Sequence, residues 1–213
     1  MDAAAARVTE VLAALRYDVI GSVETLFDGA AGFNFLEVNT RLQVEHAVTE
    51  AVTGVDLVVA QLRLAWGDRL DAVLPGPVNV SGHAVQARIY AEDPVRFFPS
   101  PGLLEALVLP QGPGIRVETG YAQGYRITPF YDPMIAKLIA HGSDRAQAIA
   151  RLDSALAACV VRGVRTNIPF VRQVLASEEF RAGRVHTGLG AEVLREAAAQ
   201  RAGAVAAPSP PST

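Results

Sequence analysis

The chain has 213 residues, 50% of them hydrophobic and 19% charged, so it can bury a core in one large domain or two small ones. Its net charge is −3 and no block of Lys or Arg stands out, which argues against a nucleic acid partner. No apolar run approaches the roughly 20 residues that cross a bilayer, and the single cysteine excludes an internal disulfide. We therefore expect a cytoplasmic protein with no membrane partner.

The first predicted elements are a helix, a hairpin and a second helix. The Ala-rich opening helix ends near Leu15, and the hairpin has strands 22–27 and 33–39 joined by a Gly-containing turn. Asp56 is placed to cap the second helix, which runs to Trp66 before a glycine ends it.

From His83 to Leu138 the pattern changes to short alternating strands separated by turns that contain Pro and Gly. The predicted strands are 83–91, 103–109, 115–119 and 134–140. This strand-rich block predicts an α+β domain built on an antiparallel sheet.

Two helices and a tail are predicted to complete the chain. Ser143 or Asp144 is placed to cap a long helix that Gly163 ends. The apolar face of this helix is predicted to contain Ile149, Leu152, Leu156, Cys159 and Val160. A shorter helix is predicted over 169–176, and the Ala-, Pro- and Ser-rich residues from about Arg201 are expected to be a disordered tail or linker.

The predicted hairpin opposes two carboxylates. With the turn centred between Ala30 and Ala31, antiparallel pairing predicts the cross-strand pairs Phe27–Asn34, Leu26–Phe35 and Glu24–Glu37. Like charges at Cβ separations of about 4.5–5.5 Å repel each other unless a cation lies between them. Asn39 points to the same face and adds a third oxygen, and such a ligand set suits Mg²⁺ or Mn²⁺ with phosphate oxygens and water. The alternative is two exposed glutamates on a solvated strand face.

Polar residues continue at alternate positions after the hairpin. An extended segment would place five of them on one side: Glu37, Asn39, Arg41, Gln43 and Glu45. Arg41 offers a planar fork suited to a small planar oxyanion, and Glu45 offers a base or a partner for that arginine. This set is suited to holding a metal-bound nucleotide beside an anionic acceptor.

At these residues the chain resembles a known family. The run Glu-Val-Asn-Thr-Arg-Leu-Gln-Val-Glu-His at 37–46 is similar to the signature of biotin carboxylases, which are ATP-grasp enzymes. The Glu-x-Asn-x-Arg part also occurs in carbamoyl-phosphate synthetases and other ATP-grasp ligases, whereas Arg-x-Gln-Val-Glu-His is highly specific. Further matches lie at 82–94, 98–102, 114–118, 131–138 and 163–167. The resemblance covers about 22–187, with departures at Gln86, where many relatives carry glutamate, and at the hairpin turn, whose length varies in the family.

The resemblance implies a role for each residue of the signature. The residues that would hold Mg²⁺ on ATP are Glu24, Glu37 and Asn39. Arg41 would bind bicarbonate with help from Gln43 and the backbone of Val44. Glu45 would deprotonate bicarbonate for attack on the γ-phosphate of ATP, which would give carboxyphosphate.

The resemblance also implies a residue for the second substrate, biotin. Arg116 would stabilise the enolate-like oxygen of biotin. From the residues alone, Arg116 is expected instead to pair with Glu118 or another sheet carboxylate. Asp132 and Lys137 are expected to form either a supporting pair near the site or an ordinary surface pair.

The implied domain organisation has three parts. Residues 1–75 would be the carboxyl-terminal part of an ATP-grasp domain, and residues 76–195 would be the biotin carboxylase carboxyl-terminal domain. Residues 196–213 would be the disordered tail or linker.

The family's glycine-rich lid over the phosphates and its ATP-gripping lysines have no counterpart in these 213 residues. Three interpretations stay open: a fragment of a longer enzyme, one half of a split enzyme that needs a chain with the amino-terminal half, or a catalytically silent subunit for assembly or binding. The signature disfavours another ATP-grasp ligase. The implied partners are further copies in a homo-oligomer, a biotin carboxyl carrier domain or protein, and a carboxyltransferase subunit.

Overall fold

The computed structural model of the protein describes residues 2–27, 29 and 32–205. The chain divides into two compact units between Ser81 and Gly82, six residues after the predicted boundary at 75 and 76. None of the helices in the described ranges has the length and hydropathy needed to span a membrane.

The first unit contains one hairpin and four helices within its described part. In chain order its elements are α1 (Asp2–Ala14), β1 (Ser22–Phe27), β2 (Phe33–Asn39), α2 (His46–Thr53), α3 (Leu57–Trp66) and α4 (Leu70–Val73). Both predicted hairpin strands have the predicted bounds. The turn residues 28, 30 and 31 lie outside the described residues.

Helix α3 shows why its ends could be predicted from the sequence. The Asp56 carboxylate accepts a hydrogen bond from the Val59 amide at 2.8 Å, and Gly67 ends the helix in the left-handed region at φ 107°. Buried Glu50, on α2, accepts a hydrogen bond from the Leu57 amide at 2.6 Å. This bond fixes the start of α3 against α2.

The second unit contains strands followed by helices. In chain order its elements are β3 (His83–Tyr90), β4 (Gly102–Leu103), β5 (Ala106–Val108), β6 (Ile115–Thr119), β7 (Arg126–Ile127), β8 (Met134–Gly142), α5 (Arg145–Ala158), β9 (Val160–Arg162), α6 (Ile168–Ala176), α7 (Glu178–Arg181) and α8 (Leu189–Val205). An antiparallel sheet organises this unit, as predicted. Its strand order is β3-β8-β6.

The core of the second unit lies between this sheet and α5. Alternate residues of β3 and β8 turn to the same side, and their buried members include Val85, Ala87, Ile89, Leu138 and Ala140. Helix α5 packs against these strands through Ile149, Leu152 and Leu156. Three members of the predicted apolar face of this helix therefore lie in the core.

The predicted long helix is wrong at its carboxyl end. Helix α5 ends at Ala158, and Val160 belongs to β9, which pairs with β5. The predicted strand 103–109 is likewise broken into β4 and β5, because the fully buried Leu104 donates its amide to the Tyr125 carbonyl instead of a neighbouring strand. Cys159 lies between helix and strand, where partial burial raises the pKa of its thiol to about 11.

The predicted tail at 196–213 is wrong up to Val205. Helix α8 continues without a break from Leu189 to Val205, because the Ala-rich sequence favours a helix over a linker. Residues 206–213 lie outside the described residues.

Asn167 closes the free edge of β3. Its side-chain amide donates to the Arg88 carbonyl at 3.0 Å and its side-chain oxygen accepts from the Tyr90 amide at 2.9 Å. Its own backbone amide donates to the Tyr90 carbonyl at 3.2 Å. Asn167 itself is 6% exposed and its two side-chain bonds are partly buried, so it takes the place of a neighbouring strand at this edge.

We predict that Asn167→Ala lowers the free energy of unfolding by about 1–3 kcal/mol, because it removes the side-chain partners of the Tyr90 amide and the Arg88 carbonyl, both partly buried. Urea unfolding followed by circular dichroism measures the loss. Gln173→Ala, at an exposed position of α6, is the control and should change stability by less than about 0.5 kcal/mol. Equal effects of the two substitutions would contradict the role of Asn167.

Candidate functional site

The hairpin of the first unit pairs Glu24 with Glu37, as predicted. Further along the hairpin the predicted register is wrong by one residue, since Leu26 pairs with Asn34 and Phe27 with Phe33. A β-bulge between Glu24 and Thr25 absorbs the difference. The Phe27 and Phe33 rings lie 5.0 Å apart, and this aromatic contact favours the observed register at the hairpin end.

The two carboxylates point to the same face of the hairpin. Asn39 places its side-chain nitrogen 2.7 Å from Glu24 Oε1 and 3.5 Å from Glu37 Oε1. Gln43 donates to the same Glu24 oxygen at 3.1 Å. One amide thus lies between two glutamates, in the position where a bridging cation would relieve their repulsion.

The donor set fits a hard divalent cation. The Asn39 amide can present its oxygen in place of its nitrogen after a half-turn of the side chain, which gives two carboxylates and one amide oxygen. Across the described ranges, no three His, Cys, Asp or Glu residues come together as a metal site. An ion held by Glu24, Glu37 and Asn39 therefore requires further oxygens, which phosphate groups and water can provide.

The chain does not stay extended beyond the hairpin, contrary to the prediction. Strand β2 ends at Asn39, and Glu45 is the residue that precedes the first turn of α2. Even so, Arg41, Gln43 and Glu45 all line one cavity of about 430 Å³. Val44 lies in the turn between them with its side chain exposed.

Hydrogen bonds connect this cavity to the paired glutamates. Arg41 donates to Asn39 Oδ1 at 3.4 Å and to the Leu42 carbonyl at 3.3 Å. His46 holds the Gln43 carbonyl through its Nδ1 atom at 2.8 Å, which fixes the loop that carries Gln43 toward Glu24. The predicted cation ligands and the predicted anion ligands are therefore parts of one connected polar set.

The predicted biotin-side residue lies in the second unit and forms an ion pair. Arg116 donates to one oxygen of Glu118, and Lys137 Nζ lies 2.5 Å from the other oxygen. Burial raises the pKa of the Glu118 carboxyl, but the hydrogen bond and charge of Lys137, together with the charge of Arg116, outweigh burial and lower it. The alternative that Arg116 pairs with Glu118 is confirmed. Asp132 accepts a hydrogen bond from the Met134 amide at 2.8 Å, and Lys137 pairs with Glu118.

The sheet brings a second arginine to the face that carries Arg116. Arg88 is the cross-strand partner of Lys137, and Lys137 is the partner of Glu118. Opposed residues on neighbouring strands share a face, so three cations and one carboxylate give this face a net charge of +2. Gln86 lies on the same face, and its buried Oε1 has no hydrogen-bond partner among the described residues.

Arg88 was not predicted as a member of this charged face. Its alternation with the core residues Ala87 and Ile89 places it on the polar side of β3. That signal was available in the sequence, whereas the proximity of β3 to the strand of Arg116 was not.

Two family models match the chain. The model for the biotin carboxylase C-terminal domain matches residues 86–191, and the model for the ATP-binding domain of the carbamoyl-phosphate synthase L chain matches residues 2–73.

Curated relatives match the chain over most of its length. A biotin carboxylase from Halalkalibacterium halodurans is 50% identical over 174 residues, which are 82% of this chain and 38% of the relative. One of the pyruvate carboxylase subunits of Methanothermobacter thermautotrophicus is 44% identical over 188 residues, which are 88% of this chain and 37% of the relative. The chain thus spans less than two fifths of the length of these proteins.

Solved structures share the fold. The biotin carboxylase domain dimer of 2-oxoglutarate carboxylase from Hydrogenobacter thermophilus, in complex with MgADP, ADP and bicarbonate, aligns with a TM-score of 0.82 at 39% identity. The alignment covers 88% of this chain and 42% of that chain. The complete pyruvate carboxylase from Rhizobium etli aligns with a TM-score of 0.85 at 36% identity, covering 89% of this chain and 19% of that one.

Proposed function

The chain belongs to the biotin carboxylase family, whose carboxyl-terminal part it matches, and we propose that it serves the ATP-dependent carboxylation of biotin with bicarbonate. The observation that carries the proposal is the connected polar set of the first unit, in which paired glutamates and an asparagine adjoin a cavity lined by Arg41, Gln43 and Glu45. The related domain dimer from Hydrogenobacter thermophilus binds MgADP and bicarbonate, which supports this assignment.

Glu24, Glu37 and Asn39 are proposed to hold Mg²⁺ or Mn²⁺ against the phosphates of ATP. When bound, the ion supplies positive charge that offsets the negative charge on the phosphates during transfer. The protein contributes the placement of the three ligands: the hairpin register opposes the glutamates, and Arg41 and Gln43 orient Asn39 and Glu24.

Arg41, Gln43 and Glu45 are proposed to act on bicarbonate. The planar guanidinium of Arg41 binds the planar anion, with the Gln43 amide and the Val44 backbone as further donors. Glu45 accepts the proton of bicarbonate, and the resulting oxygen nucleophile attacks the γ-phosphate of ATP to give carboxyphosphate and ADP. All three side chains line the same cavity, so the base and the anion-binding group act in one place.

Arg116 is proposed to stabilise the enolate-like oxygen of biotin. Its side chain is 45% exposed, so a second substrate can reach it, and it lies on a face with a net positive charge. Glu118 holds the guanidinium in place, and Lys137 offsets part of the negative charge of Glu118 from the other side. A fixed cation of this kind stabilises a developing oxyanion without reorganisation during the reaction.

The proposal includes partners for the whole enzyme. Relatives include one subunit of a pyruvate carboxylase and alpha chains of propionyl-CoA carboxylase, so the expected partners are a carrier domain bearing biotin and a carboxyltransferase subunit. A related structure is a dimer of biotin carboxylase domains, which supports a homo-oligomer here. A cytoplasmic location stays a prediction from the single cysteine.

A catalytically silent role in assembly or binding is the second candidate function. Lys137 is the only lysine in these 213 residues, and Glu118 engages it in the second unit. The donors that meet the charge of a transferring phosphate carry most of the rate enhancement in phosphoryl transfer. They must therefore come from another chain or chain segment if the protein is active.

We predict that the 213-residue chain alone shows no bicarbonate-dependent ATP cleavage, and that fusing it to the amino-terminal part of the Halalkalibacterium halodurans relative gives biotin-dependent turnover. In the fusion, Glu45→Gln should lower kcat by at least about 100-fold, because it removes the base. Release of phosphate measures the turnover, and Glu10→Gln on α1 is the control.

Three outcomes would contradict parts of this account. Turnover by the chain alone would mean that ATP binds elsewhere. A fusion that is indifferent to Glu45→Gln would remove the base assignment. A folded fusion that stays inert with every variant would favour the silent role.

We predict that Arg116→Ala in the same fusion lowers biotin-dependent turnover by about 100-fold and leaves slow ATP cleavage without biotin within about threefold, because Arg116 acts on the biotin half-reaction. Steady-state kinetics with and without free biotin measure the two rates.

The matched control for this prediction is Arg184→Ala, since Arg184 is an exposed arginine of the same unit that also pairs with a glutamate, Glu179. It should leave both rates unchanged. Equal losses of the two rates in Arg116→Ala would show that Arg116 supports the fold of the sheet and does not act on biotin.

A further inference from the structure

An open pocket of about 710 Å³ lies in the second unit, in residues that the proposed reaction does not use. Its walls are the loop from Asp93 to Pro101 and the side chain of Arg165. Two arginines, Arg96 and Arg165, and the ring of Phe98 are presented to solvent in this pocket.

The loop is held in one conformation by a dense set of hydrogen bonds. One oxygen of Asp93 accepts from the Val95 and Arg96 amides at 2.9 and 2.8 Å, and the other accepts from Arg165 at 2.5 Å. The Asp93 amide donates to the Phe98 carbonyl at 2.9 Å, which closes the loop. The amides of Arg96 and Val95, followed by Arg165, lower the pKa of the Asp93 carboxyl, so the carboxylate stays charged in neutral solution.

The same loop contains a strained residue. Phe97 has φ 57°, in the left-handed region that residues with large side chains seldom adopt. Its ring packs edge-on against Phe170 at 5.0 Å, which keeps the residue in this conformation. Strain of this kind persists where the surrounding structure enforces it, and it is concentrated at sites that recognise other molecules.

The strained loop turns its next residue outward. Phe98 is 66% exposed, and the Arg165 side chain is 72% exposed although Asp93 holds one of its nitrogens. Two arginines and one aspartate give the pocket a net charge of +1 on a chain whose net charge is −3. An exposed aromatic ring and two arginines that line one pocket, with the loop held by hydrogen bonds, are the residue types enriched in protein recognition surfaces.

We propose that this pocket docks an acidic segment of a partner protein that places one apolar side chain on Phe98. The carboxylates of the segment pair with Arg96 and Arg165, and the apolar side chain covers the ring. A segment of chain fits better than a small anion, because the pocket is wide and open and its exposed ring offers nothing to an isolated anion. This inference does not depend on the proposed carboxylation.

The test uses the full 213-residue chain and a fluorescent synthetic peptide rich in glutamate with one central leucine. Fluorescence anisotropy should show saturable binding that weakens with added salt, since the pairs are exposed. Phe98→Ser and Arg96→Gln should each weaken binding by at least about fivefold. Both variants change exposed side chains, and Arg96→Gln alone decides the outcome if Phe98→Ser does not fold.

Arg172→Gln is the matched control, because Arg172 is an exposed arginine of the same unit that also pairs with an aspartate, Asp153. If Arg172→Gln weakens peptide binding as much as Arg96→Gln does, binding follows net charge alone and the proposal is overturned. Equal binding of a peptide with serine in place of leucine, or displacement of the peptide by an equal concentration of inorganic phosphate, would overturn it in favour of a general anion site.

Discussion

The opposition of Glu24 and Glu37 is the interaction on which the proposed chemistry depends. Antiparallel pairing places two like charges across from each other, which costs stability in the absence of a counter-charge. Hydrogen-bond donors surround the pair. The Asn39 and Gln43 amides both donate to Glu24, and Arg41 donates to Asn39. The same contacts join the proposed cation ligands to the cavity that Glu45 lines, so the proposed metal-binding and bicarbonate-binding residues belong to one hydrogen-bonded set.

In the second unit, like charges lie together on one face of the sheet and also require a counter-charge. Core residues of β3 and β8 face α5, and the opposite face carries Arg88, Lys137, Glu118 and Arg116. Lys137 is 8% exposed, and a buried ammonium of this kind requires a partner, which Glu118 provides. Asn167, the last residue of the family-like run at 163–167, donates to the Arg88 carbonyl at the edge of β3. Its role is therefore to stabilise the sheet.

Local signals in the sequence predicted the elements that depend on local contacts. The cap at Asp56, the stop at Gly67 and the strands of the hairpin are examples. The wrong predictions concern a strand register and a helix end that depend on contacts between residues distant in the sequence. The Phe27 and Phe33 contact and the bulge shift the hairpin register, and pairing of β9 with β5 ends α5 before Cys159. Arg88 could not be connected with Arg116 from the sequence alone, because the strand order β3-β8-β6 places non-consecutive strands side by side.

The central claim is that Glu24, Glu37 and Asn39 hold the cation, and anomalous X-ray scattering from Mn²⁺ tests it most directly. The fusion with the amino-terminal part of a relative would be crystallised with Mn²⁺, ADP and bicarbonate. The account predicts an anomalous peak about 2.1 Å from carboxylate oxygens of both Glu24 and Glu37, and its loss in the Glu37→Ala variant with ADP still bound. A peak that touches the phosphates of ADP but neither glutamate would contradict the account.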